Sequence, residues 1–176
     1  MKIHDWMSDI RAADVMTQHM VTLHPEETLA EVAGRLIDHG ISGAPVVNGG
    51  KCVGVLSATD LVNAEEQVTV DRAQFAQSEF WGAGFSMPVD VYEEQLTAIR
   101  AKIAPLSQQP VKRFMTTSVV SVNADDSLSV IVNKMIDQQI HRVIVVDAED
   151  RLVGLVSTMD LLHQLRDAEQ NGRPAD

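Results

Sequence analysis

The chain has 176 residues, is 45% hydrophobic and carries a net charge of −11, enough apolar material for one ordinary domain or two small ones. Its acidity argues against general binding to nucleic acid or to an anionic membrane, yet a small anion can still bind where cations gather locally. No apolar run reaches the roughly 18 residues of a membrane span, acids fill the opening MKIHDWMSDIR where a signal peptide keeps an unbroken apolar region, and the single Cys52 cannot form an internal disulfide, so the expected compartment is the cytoplasm, with no membrane insertion.

Ile3, Trp6, Met7 and Ile10 fall at helical spacing and predict an amphipathic helix over 1–11 that docks on the body of the protein. Two similar segments follow, over 12–66 and 111–168. Met16-Thr17 recurs as Met115-Thr116, 99 positions on, and Asp60 recurs as Asp160, 100 positions on, so the copies differ by one residue at a strand turn. That period far exceeds the roughly 20 to 50 residues of a solenoid repeat and favours two packed subdomains.

In each copy a short alternating segment, Val21-Thr22-Leu23 or Val120-Ser121-Val122, predicts a strand, ended in the first copy by His24-Pro25. A helix follows. Thr28 with Glu31 forms a capping box, and Leu29, Val32, Ala33, Leu36 and Ile37 share one face up to Gly40. The second copy repeats the face with Leu128, Ile131, Val132, Met135 and Ile136, capped by Ser127. Strands 44–47 and 53–56, and 143–146 and 152–156, are then joined by the short turns Asn48-Gly49-Gly50 and Ala148-Glu149-Asp150. Each copy therefore reads strand, helix, strand, strand, helix, an α/β fold.

Between the copies, the insert 67–110 holds Phe75, Phe80, Trp81, Phe85 and Tyr92, five of the seven aromatics. Tyr92, Leu96, Ile99 and Ile103 predict an amphipathic helix between Pro88 and Pro105. Two readings stand for this insert: a cover for the chain's own face, or a dimer or partner surface, since aromatics are enriched in interface cores. Residues 169–176 read as a flexible tail.

Gly54-Val55-Leu56-Ser57-Ala58-Thr59-Asp60 and Gly154-Leu155-Val156-Ser157-Thr158-Met159-Asp160 end the two copies. Ser-x-x-Asp before an apolar run is itself a capping box. The same geometry suits a nucleotide. Helix-start N–H groups and a Ser hydroxyl accept a phosphate, a carboxylate one turn in accepts the hydrogen bonds of a ribose diol, and the preceding glycine gives a ligand close access to the backbone.

The Met-Thr openings, the strands ISGAPVV and IHRVIVVD, and the two VGxxSxxDL endings resemble a tandem pair of cystathionine beta-synthase (CBS) domains, the Bateman module. The resemblance implies a pseudo-twofold pair of subdomains whose clefts bind adenosine-containing ligands, assembled as a homodimer and regulating a partner protein whose identity the family does not fix. Carried over by position, Asp60 and Asp160 hold ribose hydroxyls, Ser57 and Ser157 lie near phosphate, and Thr22, Ser121, Ala44-Pro45 and Val143-Ile144 frame the base. His141-Arg142 resembles the pair that contacts phosphates in gamma subunits of AMP-activated protein kinase. The first copy has Ser42-Gly43 there instead, so the two sites should differ. Because adjacent strand residues point to opposite faces, His141 and Arg142 reach one ligand only if the strand begins irregularly. Alternatively, Arg142 pairs with an acid at a subunit contact.

The leading expectation is a regulatory module for an adenine nucleotide (AMP, ADP or ATP), bound between the repeats as a regulatory ligand and not as a required cofactor. An S-adenosylmethionine module and a ligand-free scaffold are the alternatives. Six scattered histidines without His-x-x-x-His or a Cys cluster give no metal site, and no nucleophile elbow, phosphate loop or dinucleotide fingerprint marks an enzyme.

Overall fold

A computed structural model describes residues 3–63 and 104–170. The expected insert helix and most of the expected tail lie outside them. The chain divides into two compact units, one made of 1–20 with 120–176 and the other of 21–119.

In the second of these units, α1 and α2 being in the other, helix α3 (Leu29–Asp38) precedes the hairpin β1 (Gly43–Asn48) and β2 (Lys51–Ser57) and helix α4 (Ala58–Asn63). The Thr28 hydroxyl accepts the Glu31 N–H at 3.3 Å, while the Glu31 carboxylate accepts the Thr28 N–H and hydroxyl at 2.8 Å each. Leu29, Val32, Ala33 and Leu36 are buried with Leu23, Val46 and Leu56, so the expected face is the core face. Burying a side chain such as Leu36 contributes about 1.5–3 kcal/mol. Gly40, at φ +59°, ends the helix in the left-handed region.

The predicted first strand shrinks here to one parallel bridge, Leu23 to Val46. The second copy explains why. There β3 (Ser121–Asn123) runs parallel to β4 (Arg142–Val146), and the Ala124 N–H extends the ladder by donating to the Val146 carbonyl at 2.9 Å. Pro25 and Pro45 occupy the positions of Ala124 and of Ile144, whose N–H donates to the Val120 carbonyl at 3.2 Å, and neither proline has an N–H to donate.

The other unit holds α1 (Ile3–Asp9), α2 (Ala12–Val15), β3, α5 (Leu128–Asp137), β4, β5 (Leu152–Ser157) and α6 (Thr158–Gln170). Helix α1 packs on α5, with Trp6 buried; it ends at Asp9, so Ile10, placed on the same face by its spacing, lies beyond it. Leu128, Ile131 and Met135 line the core, but Ile136, expected on that face, is 68% exposed. It stands about 100° around the helix from Met135. Ser127 is the N-cap by position, but its side chain makes no capping hydrogen bond. At the position of Glu31 this copy has Val130, so a capping box cannot form.

Both hairpins are antiparallel and share a register irregularity, after Val46 in one and Val145 in the other. The segment leading into each copy docks on the other copy. In one unit Ala12 N–H donates to Asp126 at 2.8 Å, and Thr17 and Leu155 exchange hydrogen bonds of 2.9 and 3.1 Å. In the other, Val111 N–H donates to Glu27 at 2.8 Å, and Thr116 and Val55 exchange bonds of 2.9 Å each. Position for position, these are the same contacts made by interchanged segments.

Gly54 and Gly154 owe their identity to this exchange. A Cβ on Gly54 would meet Met115 Sδ at 2.8 Å and the Thr116 carbonyl at 2.9 Å; one on Gly154 would meet Met16 Cγ at 2.7 Å. The close backbone approach attributed from sequence to a ligand is therefore made by a methionine of the docked segment.

Candidate functional site

Strand direction gathers the expected residues at one end of each sheet. β4 begins and β5 ends at the same level, pairing Arg142 with Ser157, and β3 lies parallel beside β4 with Ser121 opposite Ile144. His141, just before β4, is exposed and lies in a bend, and its carbonyl accepts the Thr158 N–H at 2.9 Å. His141 thus stands outside the regular strand, which pairs in register from Arg142 onward.

At this junction Ser157 caps α6. Its N–H and hydroxyl both donate to Asp160 Oδ2 at 2.7 Å, and Asp160 N–H donates to the Ser157 hydroxyl at 3.3 Å. Ser57 and Asp60 repeat the clamp at 2.7, 2.7 and 3.2 Å. Capping is therefore realised in both copies. Among the described residues, the hydrogen bonds to the Asp160 carboxylate fall on Oδ2, so its other oxygen retains acceptor capacity.

The two junctions differ in charge. Burial pulls the half-buried Arg142 guanidinium below its ordinary pKa, and the nearby Asp160 carboxylate opposes that shift. A guanidinium stays protonated regardless, so the second copy sets a cation beside the clamp. In the first copy Gly43 pairs with Ser57 and contributes no side chain; Ala58 N–H still donates to the Ser42 carbonyl at 2.8 Å.

Asp160, Ser157, His141, Arg142, Ser121 and Val143 thus share one unit, and Asp60, Ser57, Thr22 and Ala44 the other. Ala44 and Val143 are fully buried strand residues whose side chains serve the core. The carbonyls of Thr22 and Ser121 accept from Arg35 Nη2 at 2.7 Å and Lys134 Nζ at 2.6 Å. Arg35 also pairs with Glu27 at 2.5 Å. Neither cation was singled out from sequence, although both stand in the last turn of equivalent helices. Among the described residues there is no cluster of three or more His, Cys, Asp or Glu able to hold a metal. Cys52 is half-buried, and burial pushes its thiol pKa up. No described helix is long and apolar enough to cross a membrane.

The chain is 28% identical over 159 residues to the uncharacterized protein MJ1426 of Methanocaldococcus jannaschii, covering 86% of this chain and 89% of that protein. It is 25% identical over 154 residues to MJ1232 of the same organism, covering 88% of this chain but only 39% of the relative's length. Among solved structures, a CBS domain-containing protein of Bacillus anthracis gives a TM-score of 0.66 at 16% identity, over 93% of this chain and 98% of that one. CBSX2 in complex with AMP gives 0.62 at 18%, over 91% and 98%. The CBS domain pair of MJ0100, in complex with 5′-methylthioadenosine and S-adenosyl-L-methionine, gives 0.56 at 22%, over 89% and 96%. The CBS domain model matches twice, at residues 12–66 and 111–167. With its two matching segments and the fold they share, the chain belongs to the CBS domain family and carries two CBS domains in tandem.

Proposed function

We propose that the chain is a regulatory, non-catalytic module of the cytoplasm that senses an adenine nucleotide (AMP, ADP or ATP) and passes the bound state to a partner protein. The observation that carries this reading is Arg142, half-buried, paired with Ser157 and close enough to feel the charge of Asp160. The reading assigns the ribose to Asp160, the phosphate to Ser157, Arg142 and His141, and the base to the backbone at Ser121 and Val143. Arg supplies a planar fork of donors for phosphate, and His adds a proton-dependent one. The AMP complex of CBSX2 supports this choice of ligand. Signalling is a population shift: the ligand stabilises one arrangement of the protein only by its difference in affinity between arrangements.

The first copy favours a second ligand class. With Gly43 in place of Arg142, the end formed by Asp60, Ser57, Thr22 and Ala44 suits an adenosine derivative without phosphate, such as S-adenosylmethionine, one of the ligands bound to the MJ0100 pair. The reading also includes a homodimer. It is supported by Met159, Leu162 and Leu165, each about half exposed at three-residue spacing on α6.

The test is a thermal-shift panel of AMP, ADP, ATP and S-adenosylmethionine on ligand-free protein. At a ligand concentration a hundredfold above its dissociation constant, stabilisation of about 2.7 kcal/mol is expected. Asp160→Asn, which keeps a cap acceptor for Ser157, should lose most of the AMP shift. No shift with any of the four ligands overturns the reading.

A further inference from the structure

Each sensing end is bordered by a segment from elsewhere in the chain. Thr17 and Leu155 exchange both backbone hydrogen bonds, two residues before Ser157, whose N–H and hydroxyl hold Asp160. Met16 packs its thioether on Gly154, a position with no room for a Cβ. Helix α2 contacts both β5 and α6, so residues 12–17 touch the strand and the helix that meet at the clamp. In the first copy the same work is done by Thr116 on Val55 and Met115 on Gly54, followed by Ser57 and Asp60.

We propose that residues 10–17 are a strap that sets the geometry of the Ser157–Asp160 end, and residues 109–116 a strap that does the same for Ser57–Asp60. Control is crossed: each end answers to the segment that leads, in sequence, into the other copy. A partner that engages the N-terminal segment therefore acts on the Arg142-bearing end. A partner on the insert, whose last residues run into the second strap, acts on the end that has Gly43 in place of Arg142. This regulatory consequence rests on the nucleotide reading, whereas the strap itself does not.

The two halves of the proposal are separated by hydrogen–deuterium exchange on the full chain, with and without AMP. Thr17→Pro removes one strap donor, and Met16 already has the extended backbone that a following proline requires (φ −70°, ψ 145°). Unliganded Thr17→Pro should exchange about tenfold faster over 152–163 and less than about twofold faster over 51–63, as expected for the loss of one hydrogen bond. Thr116→Pro should give the converse pattern. Met16→Ala, which leaves the backbone donors in place, guards against a fold lost to proline and should show the same direction as Thr17→Pro. Acceleration in the wrong copy, in both equally or in neither overturns the strap. In wild-type protein AMP should slow exchange of 12–17 and leave 111–116 unchanged. If AMP does not bind at all, the nucleotide reading fails and the unliganded patterns still decide the strap; if AMP binds and residues 12–17 do not respond, the regulatory consequence is overturned.

Discussion

The ends of the two copies share a clamp and differ in what stands beside it. Ser57–Asp60 and Ser157–Asp160 agree to within 0.1 Å in all three hydrogen bonds. The clamp is thus a folding device common to both copies, and the chemistry that distinguishes them lies across the hairpin, at Gly43 and Arg142. Shared geometry marks what the fold requires, and a departure from the repeat marks where the chemistry of the two copies differs.

The largest expected effect breaks the shared part. Gly54→Ala and Gly154→Ala should each destabilise by about 1–3 kcal/mol, the usual cost of overpacking. Rescue should be partial in both copies: Met16→Ala removes the Sδ and Cγ atoms facing Gly154 but keeps a Cβ 2.9 Å from the new one, and Met115→Ala leaves the Thr116 carbonyl at 2.9 Å from the new Cβ of Gly54→Ala. Denaturant unfolding of the single and double variants checks this. Complete rescue in either copy would contradict the packing described.

A smaller effect restores symmetry between the helices. Val130→Glu supplies α5 with the acid that α3 has in Glu31, and should stabilise by about 1 kcal/mol through a new capping box with Ser127. The gain should depend on pH. The backbone N–H of Thr28, and then its hydroxyl, hold the Glu31 carboxyl below its usual pKa. A group whose folded pKa is depressed stabilises fully above its unfolded pKa, and that contribution is lost as pH falls through the folded value. The gain from Val130→Glu should therefore be present at neutral pH and vanish below the ordinary carboxylate range, as followed by thermal unfolding across pH. A gain independent of pH would mean that no box has formed.

Much of the fold was legible because it is local. Apolar spacing, the Thr28–Glu31 box and the turn residues fix elements from contacts a few positions apart. Pro25 was read correctly as a stop, but the reduction of the strand to one bridge, by Pro25 at one end and Pro45 at the other, emerges only against Ala124 and Ile144 in the other copy. The exchanged segments could not be read, because pairing Thr17 with Leu155 across 138 positions leaves no periodic trace. Gly154 was attributed to ligand approach for the same reason: its occupant, Met16, is remote in sequence. At the candidate site, Asp160 and Ser157 were visible as a motif and Arg142 as a break in the duplication. Arg35 and Lys134 act on carbonyl oxygens, which side-chain patterns do not reveal.

On the proposed reading Arg142 makes the second copy the nucleotide-binding end, and calorimetric titration of AMP into ligand-free chain measures this. One AMP per chain is expected, with affinity falling about 10- to 100-fold in Arg142→Gly, the range expected for a hydrogen bond to a charged group, while adenosine binding is retained. Unchanged AMP affinity in Arg142→Gly, or two equivalent sites in the wild-type chain, would contradict that reading.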